Sequence, residues 1–190
     1  MARLSTMSEV HERPKVTNSR HHTVREARHE DIPSLADVER SAAELFTCFN
    51  IAVGDSVLDP LLLLLLTTML KDHHLWVAIN SEDKPVGFIG GFKLDGNFHV
   101  AEVSVGRDSQ KQGIGNALMY RMMTDIKEEG FRAITLTTNK ILPFNRPWYQ
   151  SLGYIELEAK GIGKELALLV EEESHHLDHN TRCAMRKNIF

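Results

Sequence analysis

Two kinds of hydrophobic spacing meet in the middle of the chain. Apolar and polar residues alternate along His99-Val100-Ala101-Glu102-Val103-Ser104-Val105, the period of a half-buried strand. Past the stretch Gln110-Lys111-Gln112-Gly113-Ile114-Gly115, apolar residues recur at Ile114, Leu118, Met122 and Ile126, the period of a helix over 113–128. A strand, a glycine-rich turn and a helix therefore follow one another directly.

The same reading places the other elements. His22 to Arg28 predicts a first strand. Asp31 and Pro33 open a helix, with Asp31 as cap, and Leu35, Val38, Ala42, Leu45 and Phe46 line one face to about Cys48. A break over Asn50–Gly54 leads to a second helix, Val57–Lys71, which carries six successive leucines, Leu61–Leu66. That run is too short to span a bilayer, which takes about 20 apolar residues, so a buried helix is expected. Strands follow at Leu75–Ile79 and Val86–Leu94, and the Asp95-Gly96-Asn97 hairpin signal leads into the strand at 99–105. After the helix, Ala133–Thr138 is a strand, parallel to 99–105 through its helical crossover. A short helix capped by Asn145 stops at Gly153, and Tyr154–Leu157 is a strand. Lys164 to about His175 is a helix, and a strand from Thr181 to Met185 closes the sheet.

Composition narrows the function. Residues 1–20 read as a disordered tail without an apolar signal core, and 21–190 as one domain. At 42% hydrophobic residues the chain can bury a core. A net charge of −4 does not suggest nucleic-acid binding and suits a cationic acceptor. Cys48 and Cys183 make no disulfide framework, and a reducing compartment follows, the cytoplasm or the nucleus.

The glycine-rich turn is the chemical signal. A helix N-terminus presents unpaired N–H groups and partial positive charge, and glycine lets a phosphate approach. Arg107 and Lys111 stand beside it. The turn is neither a Walker A loop, lacking Gly-Lys-Ser/Thr, nor a dinucleotide fingerprint, since Leu118 stands where a third Gly or Ala belongs.

Three motifs in order carry a resemblance: Asp31-Ile32-Pro33, Val103-Ser104-Val105 followed by Gln110–Gly115, and Tyr149-x-x-x-Gly153-Tyr154. Together with the β-α-α-β-β-β-α-β-α-β-(α)-β order, residues 22–188 resemble the GNAT acyltransferase superfamily. The resemblance implies an α/β (α+β) fold, a mixed, mostly antiparallel twisted sheet of six to seven strands with splayed central strands, flanked by helices. It implies acetyl-CoA as co-substrate, with no metal, and an N-acetyltransferase acting on an amine by direct attack in a ternary complex. A non-catalytic acyl-CoA sensor is the alternative. Val103, Ser104 and Val105 would hold the pantetheine and thioester. Gln110, Lys111, Gln112, Gly113, Ile114, Gly115 and Asn116 would hold the pyrophosphate. The sequence departs from the family at Gln110, where Arg is common, and at Leu142, where an Asn is common; Asn145, four residues before Tyr149, is the candidate contact to coenzyme A that the resemblance leaves, beside its reading as a helix cap.

Tyr149 is the expected general acid, protonated at neutral pH because a phenol ordinarily titrates near pH 10. Glu102 and His99 are both candidate bases, and in a regular strand their spacing points them to opposite faces unless a β-bulge intervenes. His175, His176 and His179 have spacings a helix could bring together, but they lack the partners of a fixed zinc site. Gly161-Ile162-Gly163 reads as a loop. The expected partners are acetyl-CoA and an amine, not nucleic acid or membrane, with a homodimer left open.

Overall fold

A computed structural model describes residues 22–47, 60–176 and 182–190. The expectations for residues 1–20, Cys48, the Asn50–Gly54 break and His179, and for the side chains of Phe46, His175 and His176, lie outside that description.

β1 (Thr23–Glu26) leads through a 3-10 turn at His29–Asp31 into α1 (Ile32–Thr47). Then come α2 (Pro60–Lys71), β2 (Leu75–Ile79), β3 (Pro85–Leu94), β4 (Asn97–Val105) and α3 (Ile114–Glu128). β5 (Ala133–Asn139), α4 (Asn145–Ser151), β6 (Ile155–Glu156), α5 (Lys164–His176) and β7 (Arg182–Asn188) complete the chain. The strands make one seven-stranded sheet in the order β1-β2-β3-β4-β5-β7-β6. Among the described strands only the β4–β5 pair is parallel. The α/β mixed sheet flanked by helices is as expected. β7 corrects one expectation: it reaches Asn188 and lies between β5 and β6, so the two-residue β6 forms the edge.

Each face of the sheet has its own core. On one, α3 buries Ile114, Leu118, Met122 and Ile126, the positions its four-residue period marks, against Ile89, Phe98, Val100, Ile134, Leu136 and Met185. On the other, Leu35 and Val38 of α1 and Leu66 and Met69 of α2 pack on Val77 and Phe88. α2 is therefore not a buried helix. Leu66 and Met69 point inward, while Leu61 is 72% and Leu64 63% exposed, because a helix lying on a sheet can bury only one stripe.

Two local corrections concern helix starts. Asp31 does not cap α1 from outside. Its carboxylate accepts the Arg28 N–H at 2.7 Å and both ends of the Arg25 guanidinium at 2.7 and 3.0 Å, tying β1 to the entry of α1. Asn145 is the first residue of α4; Phe144 occupies the cap position, with no side-chain capping bond.

The feature that sets up the site is a β-bulge. Gly90 pairs with Glu102 but Gly91 pairs with Val100, leaving Ala101 as an extra residue in β4. A Cβ on Gly91 would lie 2.0 Å from the His99 carbonyl oxygen, so only glycine fits opposite the bulge. Before the bulge, Phe98 and Val100 face α3; after it, Val103 and Val105 do. His99 and Glu102 thus share the opposite face with Ser104, contrary to the regular-strand expectation.

Candidate active site

The β4–β5 ladder has three rungs, Phe98↔Ile134, His99↔Thr135 and Val100↔Leu136, and then stops, although β4 continues to Val105 and β5 to Asn139. A gap opens where the two strands part, as the resemblance implied. Gly106 N–H donates to Val86 O at 2.9 Å, so in the alternating antiparallel ladder the main-chain groups of Val103 and Val105 turn away from β3, into the gap. An extended chain laid there would find strand-like partners.

The turn after β4 meets the N-terminus of α3. Gly113, at φ +81°, takes a left-handed conformation that disfavours side chains and starts the helix without a side-chain cap. The first turn-closing bond is Ala117 N–H to Gly113 O at 3.0 Å, so the N–H groups of Ile114, Gly115 and Asn116 have no helical partner.

The side chains around the turn are more committed than the sequence suggested. Gln110 donates its amide to Val105 O at 3.0 Å, and Gln112 donates to Asp108 O at 2.9 Å. Asn116 accepts the Trp148 indole N–H at 2.8 Å, while that indole lies over Gly115, 3.1 Å from where a Cβ would be. Arg107 is not a free charge at the turn. Its guanidinium pairs with Glu44 at 2.9 Å, and its N–H donates to Ser41 Oγ at 3.1 Å, fastening the turn to α1. Lys111, exposed at φ +59°, supplies a cation beside the main-chain donors.

Of the candidate reacting groups, Glu102 lies just past the last rung and its charge reaches Tyr149, whereas His99 sits within the ladder, paired with Thr135. Tyr149, 8% exposed, stands in the α3-side core with Trp148 and Tyr154 against its ring. Burial, then the nearby Glu102 charge, pushes its phenol well above the ordinary value near 10; the Arg182 charge acts the other way. Burial also raises the Glu102 carboxyl above the usual range, opposed by a 2.8 Å hydrogen bond from Ser104 Oγ, and the Glu39 charge raises it further. Ser104, expected to lie along the thioester, donates its hydroxyl to this carboxylate. His99 is 1% exposed, packs against Phe92 and meets Thr135 Oγ1 at 3.1 Å. Burial drops it to about 4, so it is neutral near pH 7. Asn145 is half-buried at the start of α4.

Sequence reasoning missed one cluster. Arg182 of β7 bonds Glu173 of α5 and, at 2.7 Å, Thr137 Oγ1; Thr137 donates to Glu173 at 2.8 Å. The signal was the alternation Arg182-Cys183-Ala184-Met185-Arg186, which puts both arginines on one face. Of the second Gly-x-Gly, Gly163 makes room for a cap: a Cβ there would collide with Asp95, which, at the β3–β4 turn, accepts the N–H groups of Glu165 and Leu166 at the start of α5. A cavity of about 210 Å³ there, lined by Asn97, Thr135 and Arg186, lies at the far end of β4 and β5 from the gap.

Sheet, gap and uncapped turn together define the fold that the comparisons with known proteins also show. The model of the acetyltransferase (GNAT) family matches residues 39–154, which include β4, the turn and Tyr149, and the chain belongs to that family of enzymes. A stretch of 85 residues is 31% identical to human N-acetyltransferase 8B, spanning 42% of this chain and 37% of that protein. The fold is similar to a GNAT-family acetyltransferase of Staphylococcus aureus Mu50, with TM-score 0.69, 19% identity and coverage of 90% of this chain and 100% of that one. It is also similar to the PaiA N-acetyltransferase of Thermoplasma acidophilum in complex with coenzyme A, with TM-score 0.62, 12% identity and coverage of 88% and 99%.

Proposed function

We propose that this protein transfers an acetyl group from acetyl-CoA to a primary amine by direct attack, with Tyr149 as general acid and Glu102 as base, directly or through one water. The observation that carries the reading is the ladder that stops after Val100↔Leu136, with Glu102 beside the gap and an uncapped helix start just beyond it. The donor's diphosphate fits the N–H groups of Ile114, Gly115 and Asn116 with Lys111 alongside. Its amide-bearing arm fits the main chain of Val103, where it would share the Val103 N–H with the Glu102 carboxylate, while pairing with Val105 O requires the Gln110 amide to turn away.

The chemistry needs one bond made and one broken. The amine nitrogen bonds to the thioester carbon and the carbon–sulfur bond breaks. Glu102 takes the amine proton, and Tyr149 gives its proton to the departing sulfur. A phenol raised by burial stays protonated at every working pH, and a thiolate forming in the same dry gap is a stronger base than in water. Raising Glu102 brings it closer to the operating pH, where a general base is most effective. His99 is neutral but enclosed, with Nδ1 committed to Thr135, and is a poorer base than Glu102.

The test is thiol release with a panel of amines, beside thermal unfolding with and without CoA. Tyr149→Phe is expected to keep the CoA-induced rise in Tm and lose about 10²-fold or more in kcat. A CoA-induced rise without thiol release from any amine would favour a sensor. Unchanged turnover in Tyr149→Phe would remove the tyrosine from the mechanism.

A further inference from the structure

Two walls flank the gap on the face opposite α3. One is β4, carrying Glu102 and Ser104. The other is β5 from Thr137 onward, beyond the last rung with β4. Thr135 and Thr137 alternate with Ile134 and Leu136, which face α3, so Thr137 looks to the same side as Glu102. Thr137 pairs with Ala184 and Asn139 with Arg182, which brings the Arg182 side chain to the Thr137 hydroxyl. α5 crosses above and lowers Glu173 onto both. The three groups close a ring: Thr137 to Glu173, Arg182 to Glu173, Arg182 to Thr137. The Arg182 and Glu173 side chains are only 17% and 25% exposed, so water screens the guanidinium weakly.

We propose that Arg182, fastened by Thr137 and Glu173 on the wall across from Glu102, is a positioning residue for acetyl transfer: its positive charge adds to the Ser104 and Val103 hydrogen bonds in favouring the carboxylate of Glu102, and α5 holds it there. The inference rests on the reading of Glu102 as base. The groups facing that carboxylate are Ser104 and the Val103 N–H on its own strand, Glu39 on α1, Tyr149 on α4 and Arg182 on β7, with Glu173 on α5 behind Arg182. Among these Arg182 is the cation. Burial and Glu39 favour the protonated acid; the Ser104 hydroxyl, the Val103 N–H and Arg182 favour the carboxylate. Arg182 touches no reacting atom in this scheme and acts through Glu102.

The pH profile of kcat/KM distinguishes this role from a structural one. Arg182→Gln is expected to move the acidic limb upward by about half a pH unit or more, about a threefold loss on the limb, with activity recovering at high pH. Arg182→Lys, which keeps the charge, is expected to hold the limb near its wild-type position. Glu173→Gln removes the opposing charge and keeps a hydrogen-bonding group, so its limb is expected to move down; this variant decides the matter if Arg182→Gln does not fold. A uniform loss at all pH values with the limb in place, or an upward shift in Glu173→Gln, would overturn the proposal while leaving acetyl transfer standing. A wild-type protein that releases no thiol with any amine would remove the transfer reading, and this one with it.

Discussion

Replacing Gly91 with alanine tests the bulge on which the site depends. The added methyl carbon would sit 2.0 Å from the His99 carbonyl oxygen and 2.7 Å from Phe98 Cε1. The first obstacle is backbone and cannot swing aside, and the second belongs to a ring with no exposed surface. Relief requires β3 and β4 to separate or Ala101 to be drawn back into register. Overpacking of this kind costs about 3 kcal/mol. For a chain of this length that is a fall in Tm of about 6–12 °C. Gly90→Ala next door is the control. Its methyl would meet Met69 Sδ at 2.7 Å and Leu75 Cδ1 at 2.9 Å, ends of flexible side chains that can shift, so a smaller loss is expected. The bulge also sets which way Glu102 points, so Gly91→Ala is expected to lose more kcat/KM than its lost stability explains when assayed well below its Tm. Thermal unfolding of both variants, followed by thiol release, reads each effect. A Gly91→Ala protein as stable and active as wild type would refute the argument that a bulge at Ala101 orients Glu102.

Other predictions concern buried charge. Asp31→Asn breaks the bidentate pair with Arg25, whose guanidinium stays 17% exposed, and is expected to cost about 2–4 kcal/mol in denaturant unfolding at pH 7. Burial pushes the Asp31 carboxyl up, but the Arg25 pair and the Arg28 N–H outweigh it and hold it below its usual value. Its contribution is therefore present above the unfolded value near 4 and lost as pH falls through the lower folded one, so Asp31→Asn should be less acid-sensitive below about pH 4. His99 is depressed by burial to about 4. The unfolded chain then binds more protons between pH 6.5 and 4, and folding stability drops by up to about 3 kcal/mol as pH falls through that window. His99→Gln is expected to flatten this dependence; an unaltered pH–stability curve would mean that His99 titrates normally.

Much of this protein can be read from residue order. Ile114, Leu118, Met122 and Ile126 at four-residue steps specify a helix and the face it buries, because a helix repeats every 3.6 residues whatever it packs against. Asp95-Gly96 specifies the hairpin, since both residues take φ above zero in a tight turn. The glycine-rich turn after β4 and the Tyr149–Tyr154 element were legible because backbone geometry and side-chain chemistry there are written in adjacent residues.

What depends on partners distant in the chain was not legible. The bulge at Ala101 appears only when Gly90 and Gly91 are laid beside β4, and it alone puts His99 and Glu102 on one face. Arg107 looked like a phosphate ligand until Glu44, 63 residues away, took it. Arg182 acquired its place opposite Glu102 through β7 inserting between β5 and β6, a choice of strand order that no local pattern encodes. Local sequence thus determined the elements and the glycine-rich turn, because short-range sterics and periodicity act within a few residues. Register, strand order and the electrostatics of the gap were decided by tertiary structure, because packing sets which charges and carbonyls come within reach of each other.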